Sequence, residues 1–205
     1  MSFTLSIGQP PPDFDLPGVD GKRYSLKDYA DCRALVVVFS CNHCPYVTGS
    51  EDRMIRFALE YAPKGVAFVA INSNETENHP ADSFEHMVER ARGKNFPFHY
   101  LRDESQDVAR AYGALRTPHY FLFGRGQSGD GSGQGRGGFG LVYTGRMDDS
   151  PRIAGAEREH NLTDAVEAFL AGRNPAVEVT NPIGCNVKWK GKPEKWMPPE
   201  ACDLA

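Results

Sequence analysis

The sequence predicts an α/β domain: a central mixed sheet flanked by helices, with an extension before it and an extended tail after it. Three observations carry this reading. Two short, uninterrupted apolar runs, "LVVVF" (35–39) and "VAFVAI" (66–71), have the composition of parallel strands covered on both faces. Each run is followed by apolar residues at helical spacing. Two further strand-like runs and a closing helix complete the order β-α-β-α-β-β-α.

After the first strand, Ile55, Ala58, Leu59 and Ala62 recur at i, i+3, i+4, i+7 and predict an amphipathic helix, with Glu51, Asp52 and Arg53 on its solvated face. After the second strand, Phe84, Met87, Val88 and Ala91 mark one helix face, and Val108, Ala111 and Tyr112 a shorter helix. "HYFLF" (119–123) and "LVY" (141–143) read as successive strands. "NLTDAVEAFL" closes the domain as a helix capped by Asn161, with Leu162, Ala165, Val166 and Phe169 inward. Between the last two strands, nine of the seventeen residues 124–140 are Gly, which predicts a mobile hairpin loop rather than a phosphate cradle. The domain is expected to span 1–172. Residues 173–205 form a proline-punctuated tail, packed at least partly on the domain because both tryptophans, Trp189 and Trp196, lie there.

At 205 residues, 40% of them hydrophobic, the chain suits one core with appendages. A formal net charge of -4 and dispersed Lys and Arg argue against nucleic acid or anionic membranes as partners. The start, "MSFTLSIGQPPPDF", has neither a basic n-region nor an apolar h-region, so a cytoplasmic protein is expected. In that reducing compartment the five cysteines, Cys32, Cys41, Cys44, Cys185 and Cys202, are not expected to form a disulfide scaffold. A C-x-x-C there reads as redox chemistry or metal.

The C-x-x-C is "CNHC", Cys41 to Cys44, placed where strand becomes helix and followed by Pro45, which suits a first helical turn. A nucleophilic cysteine must be a thiolate. Cys41, just before a helix start and near His43, is expected to have a lowered pKa, and Cys44 is close enough to resolve a mixed disulfide formed at Cys41. Zinc held by Cys41, Cys44 and either His43 or Cys185 is the chemical alternative, disfavoured because no second C-x-x-C or H-x-x-x-H occurs. Asn42 has no evident acid–base role, and "TENHP" (76–80) reads as a surface loop and helix entry. Cys32 and Cys202 are expected to be incidental, and Cys185 is a candidate resolving thiol.

Far away in sequence, "LRTPHYFLF" opens a strand with Thr117-Pro118. With this the chain resembles the thioredoxin superfamily, whose members set a cis-proline against the C-x-x-C. The opening "IGQPPPDFDLPGVDGKRYSLKDY" is similar to the extension of the peroxiredoxin-like branch related to alkyl hydroperoxide reductase and thiol-specific antioxidant. "CNHCPYV", "ARAYGA", "GRMDD" and "TNPIGCNVKWK" extend that resemblance from about residue 7 to 190. It implies a thioredoxin-like fold and thiol–disulfide exchange, with Cys41, Cys44, His43 and Pro118 catalytic and Thr117 contacting substrate. Arg116 stands where some relatives carry Cys, and its charge would stabilise a thiolate or attract an anionic substrate. The C-x-His-C form resembles protein disulfide isomerase and implies a couple less reducing than thioredoxin. The chain departs from thioredoxins proper in carrying Ser40 and Leu35 in the places of the Trp and the buried Asp. Laid on the peroxiredoxin pattern Pro-x-x-x-Thr/Ser-x-x-Cys, it places Cys44 at the peroxidatic position but Val37 and Cys41 at the other two.

The expected function is thiol–disulfide oxidoreductase, acting on protein or small-molecule disulfides and re-reduced by an upstream thiol system. No cofactor or metal is expected, and no nucleotide fingerprint occurs. The alternatives are a thiol peroxidase acting on peroxides as an antioxidant enzyme, and a non-catalytic module that binds through the groove beside Pro118.

Overall fold

A computed structural model describes residues 4–126 and 138–198. A short antiparallel hairpin, β1 (Asp15–Pro17) and β2 (Arg23–Ser25), precedes β3 (Ala34–Ser40), all seven of whose residues are buried. After β3 come α1 (Pro45–Thr48), α2 (Glu51–Tyr61), β4 (Val66–Asn72), α3 (Phe84–Lys94), β5 (His99–Arg102) and α4 (Asp107–Tyr112). The two-residue β6 (Arg116–Thr117) leads into β7 (His119–Arg125), then β8 (Phe139–Gly145), α5 (Asn161–Leu170) and, in the tail, β9 (Cys185–Asn186).

The main sheet has the order β5-β4-β3-β7-β8. β3 is parallel to β4, which is parallel to β5, whereas β3–β7 and β7–β8 are antiparallel. This is the mixed, helix-flanked, thioredoxin-like arrangement expected from the sequence. Because side chains alternate across a strand, β3 supplies both cores. Ala34, Val36 and Val38 pack with Met54, Phe57, Leu162 and Val166. Leu35, Val37 and Phe39 pack with Ile71, Phe121, Phe123 and Trp189. At about 1.5–3 kcal/mol for each buried large apolar side chain, polar substitution in β3 is expected to be costly.

Both outer strands of the sheet are covered. On β5, Gly18 bridges Leu101, and Val19 N–H donates to Tyr100 O at 3.0 Å. On β8, Gly8 N–H donates to Leu141 O at 2.8 Å, and Thr144 exchanges hydrogen bonds with Glu178 and Thr180, both 3.0 Å.

Several sequence expectations are corrected. β5, the hairpin strands and the two-stranded β6–β9 pair fall outside the predicted order, being too short for periodicity to register. The helix after the motif is broken at Gly49, where a Cβ would lie 2.7 Å from Pro151 O, so the close backbone of 151–152 requires glycine. The buried face of α2 is Met54, Phe57, Ala58 and Tyr61, while Leu59 is 60% exposed. Glu51 and Arg53, expected in solvent, are buried: Glu51 accepts from Arg90, and Arg53 donates to Ser150 O at 3.1 Å and Pro151 O at 2.9 Å. In α4 it is Ala109, not Ala111, that is buried beside Val108 and Tyr112. Asn161 is the first residue of α5 rather than its cap, and its Oδ1 accepts from Arg146 Nε.

The tail lies on the domain. Val187 and Trp189 are buried in the second core, and Trp196 packs edge-on to Trp189 at 6.2 Å. Residues 127–137 of the Gly-rich insert, and Cys202, lie outside the described residues. Among the described residues no helix is long and apolar enough to cross a membrane.

Candidate active site

β3 delivers Cys41 at its C-terminal end, and Cys44 is the N-cap of α1 with Pro45 in the first turn. The β3–β7 pairing, Phe39 opposite His119, brings the Thr117–Pro118 segment across from the motif. The Thr117–Pro118 peptide bond is cis. Cys41 Sγ lies 3.4 Å from Thr117 Oγ1 and accepts the Cys44 N–H at 3.4 Å, and Cys44 Sγ–H donates to Thr117 O at 3.1 Å. Cys41, Cys44, Thr117 and Pro118 are thereby brought together, with both motif thiols buried.

Behind Cys41 stands a group that sequence reasoning missed. Asp82, fully buried, accepts at Oδ2 from His43 Nδ1 (2.6 Å) and Asn74 Nδ2 (2.9 Å), and at Oδ1 from the Asn42 N–H (2.6 Å) and Asn72 Nδ2 (3.1 Å). Burial opposes its charge, but the bonds from His43, the Asn42 N–H and Asn74, with the nearby His43 charge, hold it below the usual carboxylate range. In return Asp82 raises the His43 pKa, with partial burial pulling the other way. Asn42, assigned no role from sequence, fastens this corner: its Nδ2 donates to Ala81 O at 2.8 Å, and its Oδ1 accepts from the Tyr100 hydroxyl at 3.0 Å. The loop expected to be plain surface also contributes His79, whose ring stacks on His43 at 5.0 Å and whose Nδ1 bonds to Glu75.

Ionisation within the dithiol differs from the sequence expectation. Burial pushes the Cys41 thiol up, with Cys44 and the nearby Asp82 carboxylate adding to the shift. Donors converge instead on Cys44: the Cys185 thiol, the Cys41 thiol and, against the cost of burial, the N–H groups of Cys185 and Val47 draw it down. Cys44 is the N-cap residue of α1, though its sulfur bonds to Thr117 O rather than to the helix amides. Cys41, three residues before that N-cap, accepts the Cys44 N–H.

Cys185 arrives on the tail. β9 pairs antiparallel with β6, Thr117 opposite Cys185 and Arg116 opposite Asn186, and Val187 N–H donates to Leu115 O at 3.2 Å. The half-buried Cys185 packs against the core cluster that contains Cys41 and Cys44. Its own thiol, interacting with Cys44 and partly buried, is pushed up. The backbone beside Pro118, expected to receive substrate through Thr117, is thus already paired with the chain's own tail. Arg116 is directed elsewhere too, its Nη1 donating to Asn186 Oδ1. Cys32 lies before β3, a strand's length from Cys41.

Cys41 Sγ, a His43 ring nitrogen and an Asp82 oxygen lie within 4.8 Å of one another, a donor set that could hold a metal ion. Both Asp82 oxygens and His43 Nδ1 are already engaged in hydrogen bonds, so the donor set as built serves its own network. Asp82 lies outside any motif spacing from Cys41, and only the density of polar residues in "INSNETENHPAD" after a buried strand could have pointed to it.

Residues 7–129 match the sequence model described as the AhpC/TSA family. Over most of its length the chain is also similar to two solved structures. A hypothetical protein from Sinorhizobium meliloti 1021 is 34% identical, with TM-score 0.81 over 93% of this chain and 98% of the other. An uncharacterized conserved protein from Geobacillus kaustophilus is 38% identical, with TM-score 0.81 over 94% and 96%. Peroxidoxin BcpB from Mycobacterium tuberculosis shares the fold at 18% identity, TM-score 0.52, over 68% of this chain and 84% of the other. No curated protein matched the sequence.

Proposed function

Because this chain belongs to the AhpC/TSA family, we propose that it is a thiol-based redox enzyme and, more specifically, a thiol–disulfide oxidoreductase whose working dithiol is Cys41 and Cys44. The observation that supports this most is the convergence of the two thiols on Thr117, next to cis-Pro118, with the His43–Asp82 pair beside Cys41.

In this reading Cys41 loses its proton to solvent and attacks a partner disulfide, R–S–S–R′. A Cys41–S–S–R bond forms and R′–S⁻ leaves. Cys44 gives up its proton to that leaving thiolate and attacks the Cys41 sulfur. The Cys41–Cys44 bond forms, R–S⁻ leaves, and the partner has gained two electrons. Protonated His43, held by Asp82, offsets the negative charge that Cys41 acquires as it loses its proton. The oxidised enzyme is returned to the dithiol by an upstream thiol reductant, in a reducing compartment such as the cytoplasm.

A second reading, peroxide reduction, is favoured by one observation: Cys44, at the peroxidatic position of the family pattern, is the thiol drawn toward its ionised form. Mass spectrometry on fully reduced protein separates the two readings. Fast Cys41–Cys44 closure with a model disulfide and slow oxidation by hydrogen peroxide is the expected result. Fast peroxide oxidation, with sulfenate trapped on Cys44, would replace the proposal with a peroxidase. Failure of both reagents to close the bond would leave the binding-module reading.

A further inference from the structure

Thr117 O, which accepts the Cys44 thiol, belongs to the residue paired with Cys185 in the β6–β9 ladder. The tail cannot easily drift from this position. A Cβ at Gly184 would lie 2.2 Å from that same Thr117 oxygen, so glycine lets the strand press directly on the peptide that carries the site. Val187 and Trp189, immediately beyond, are buried in the core and anchor it. Cys44 therefore has a thiol neighbour on each side, Cys41 from its own turn and Cys185 from the tail. The two differ in access, since Cys41 is buried and Cys185 is only partly buried.

We propose that Cys185 is the third member of a thiol relay, which carries the oxidised bond from the buried Cys41–Cys44 pair out to a Cys44–Cys185 pair on the tail strand, where an external thiol reductant meets it. This rests on the dithiol reading above and extends it. The step is an internal exchange and needs no added oxidant. The Cys185 thiolate attacks the Cys44 sulfur, the Cys41–Cys44 bond breaks, the Cys44–Cys185 bond forms, and Cys41 leaves as a thiolate that takes up the proton Cys185 released. Attack on Cys44 rather than Cys41 follows from the pairing of Cys185 with Thr117, whose carbonyl Cys44 meets. A leaving Cys41 thiolate has protonated His43 within reach, together with the Cys44 N–H and the Thr117 hydroxyl as donors.

The test uses the full chain. Reduced protein is oxidised with one equivalent of glutathione disulfide, quenched in acid at successive times, alkylated, and mapped by peptide mass spectrometry. Cys41–Cys44 is expected first and Cys44–Cys185 later, at the expense of the first. The Cys185→Ser variant is expected to stop at Cys41–Cys44 and to be re-reduced by glutathione about tenfold more slowly than wild type. As a check that does not depend on that variant's packing, Cys41→Ser protein treated with diamide is expected to close Cys44–Cys185 alone. If Cys41–Cys44 forms in wild type and Cys44–Cys185 never follows, the relay is wrong and the oxidoreductase reading stands. If Cys41–Cys44 itself never forms, both fall. Equal re-reduction rates for wild type and Cys185→Ser would also overturn the relay.

Discussion

His43 Nδ1 and Asp82 Oδ2 are 2.6 Å apart, and the carboxylate in that pair is fully buried. A charge in that position is tolerated because four donors from two segments, 42–43 and 72–74, meet it, and His43 alone among them brings a compensating charge.

Asp82→Asn should therefore lower the His43 pKa and destabilise the fold by about 3 kcal/mol, the scale of a broken buried pair. The sign follows from the two shifts. Asp82, depressed in the fold, contributes above its unfolded value near 3.9, and that contribution is lost as pH falls through its folded pKa. His43, raised in the fold, contributes below its unfolded value near 6.5, and that contribution is lost as pH rises through its folded pKa. The deficit of the variant is thus greatest from about pH 4 to about pH 6.5 and shrinks on either side. Urea unfolding across pH and an NMR titration of His43 measure both effects.

Cys44→Ser should retain a mixed disulfide on Cys41 after exposure to glutathione disulfide, because the resolving sulfur is gone. Cys41→Ser should lose disulfide reduction by about a thousandfold or more. Intact mass reads the first outcome and an insulin-reduction assay the second. A mixed disulfide found on Cys44 in the Cys41→Ser protein, formed at wild-type speed, would reverse the assigned roles.

Gly184→Ala forces a methyl into a space where the nearest atom is the Thr117 oxygen at 2.2 Å. The tail strand must lift, at a cost of about 1–3 kcal/mol. Amide exchange over residues 184–190 should accelerate, and Cys44 should become alkylated faster by a bulky maleimide. Unchanged exchange there would mean that the β6–β9 contact relaxes without unseating the tail.

Arg53→Met keeps the length of the side chain and removes the donors to Ser150 O and Pro151 O and the partner of Asp148, 3.3 Å away. A loss of about 3 kcal/mol is expected, seen as a fall in Tm, with the dithiol chemistry little affected.

The core strands were legible because an unbroken apolar run has few other uses, and "CNHC" with a distant Thr-Pro was legible because redox chemistry needs those residue types at that spacing. Asp82 was not, since its importance lies in convergence: Asn42, His43, Asn72 and Asn74 meet it only once β3 and β4 lie side by side. Glu51 and Arg53 misled for the opposite reason. Charged residues at the start of a helix usually face water, and nothing local announces that Arg90 and the 150–151 backbone will cover them. Cys185 was visible as a residue, but its position depended on a two-residue strand that no periodicity could reveal.

The coverings on β5 and β8 bear on how molecules of this protein meet one another. An outer strand with bare amides and carbonyls invites a neighbouring chain to dock alongside, and sheets grow from molecule to molecule in that way. Here Gly18 and Val19 on one flank, and Gly8, Gln9 and residues 178–180 on the other, have taken those groups first. At high concentration the molecules should therefore associate, if at all, through side chains, and a partially unfolded form that sheds either the leading segment or the tail is the one that should seed fibres.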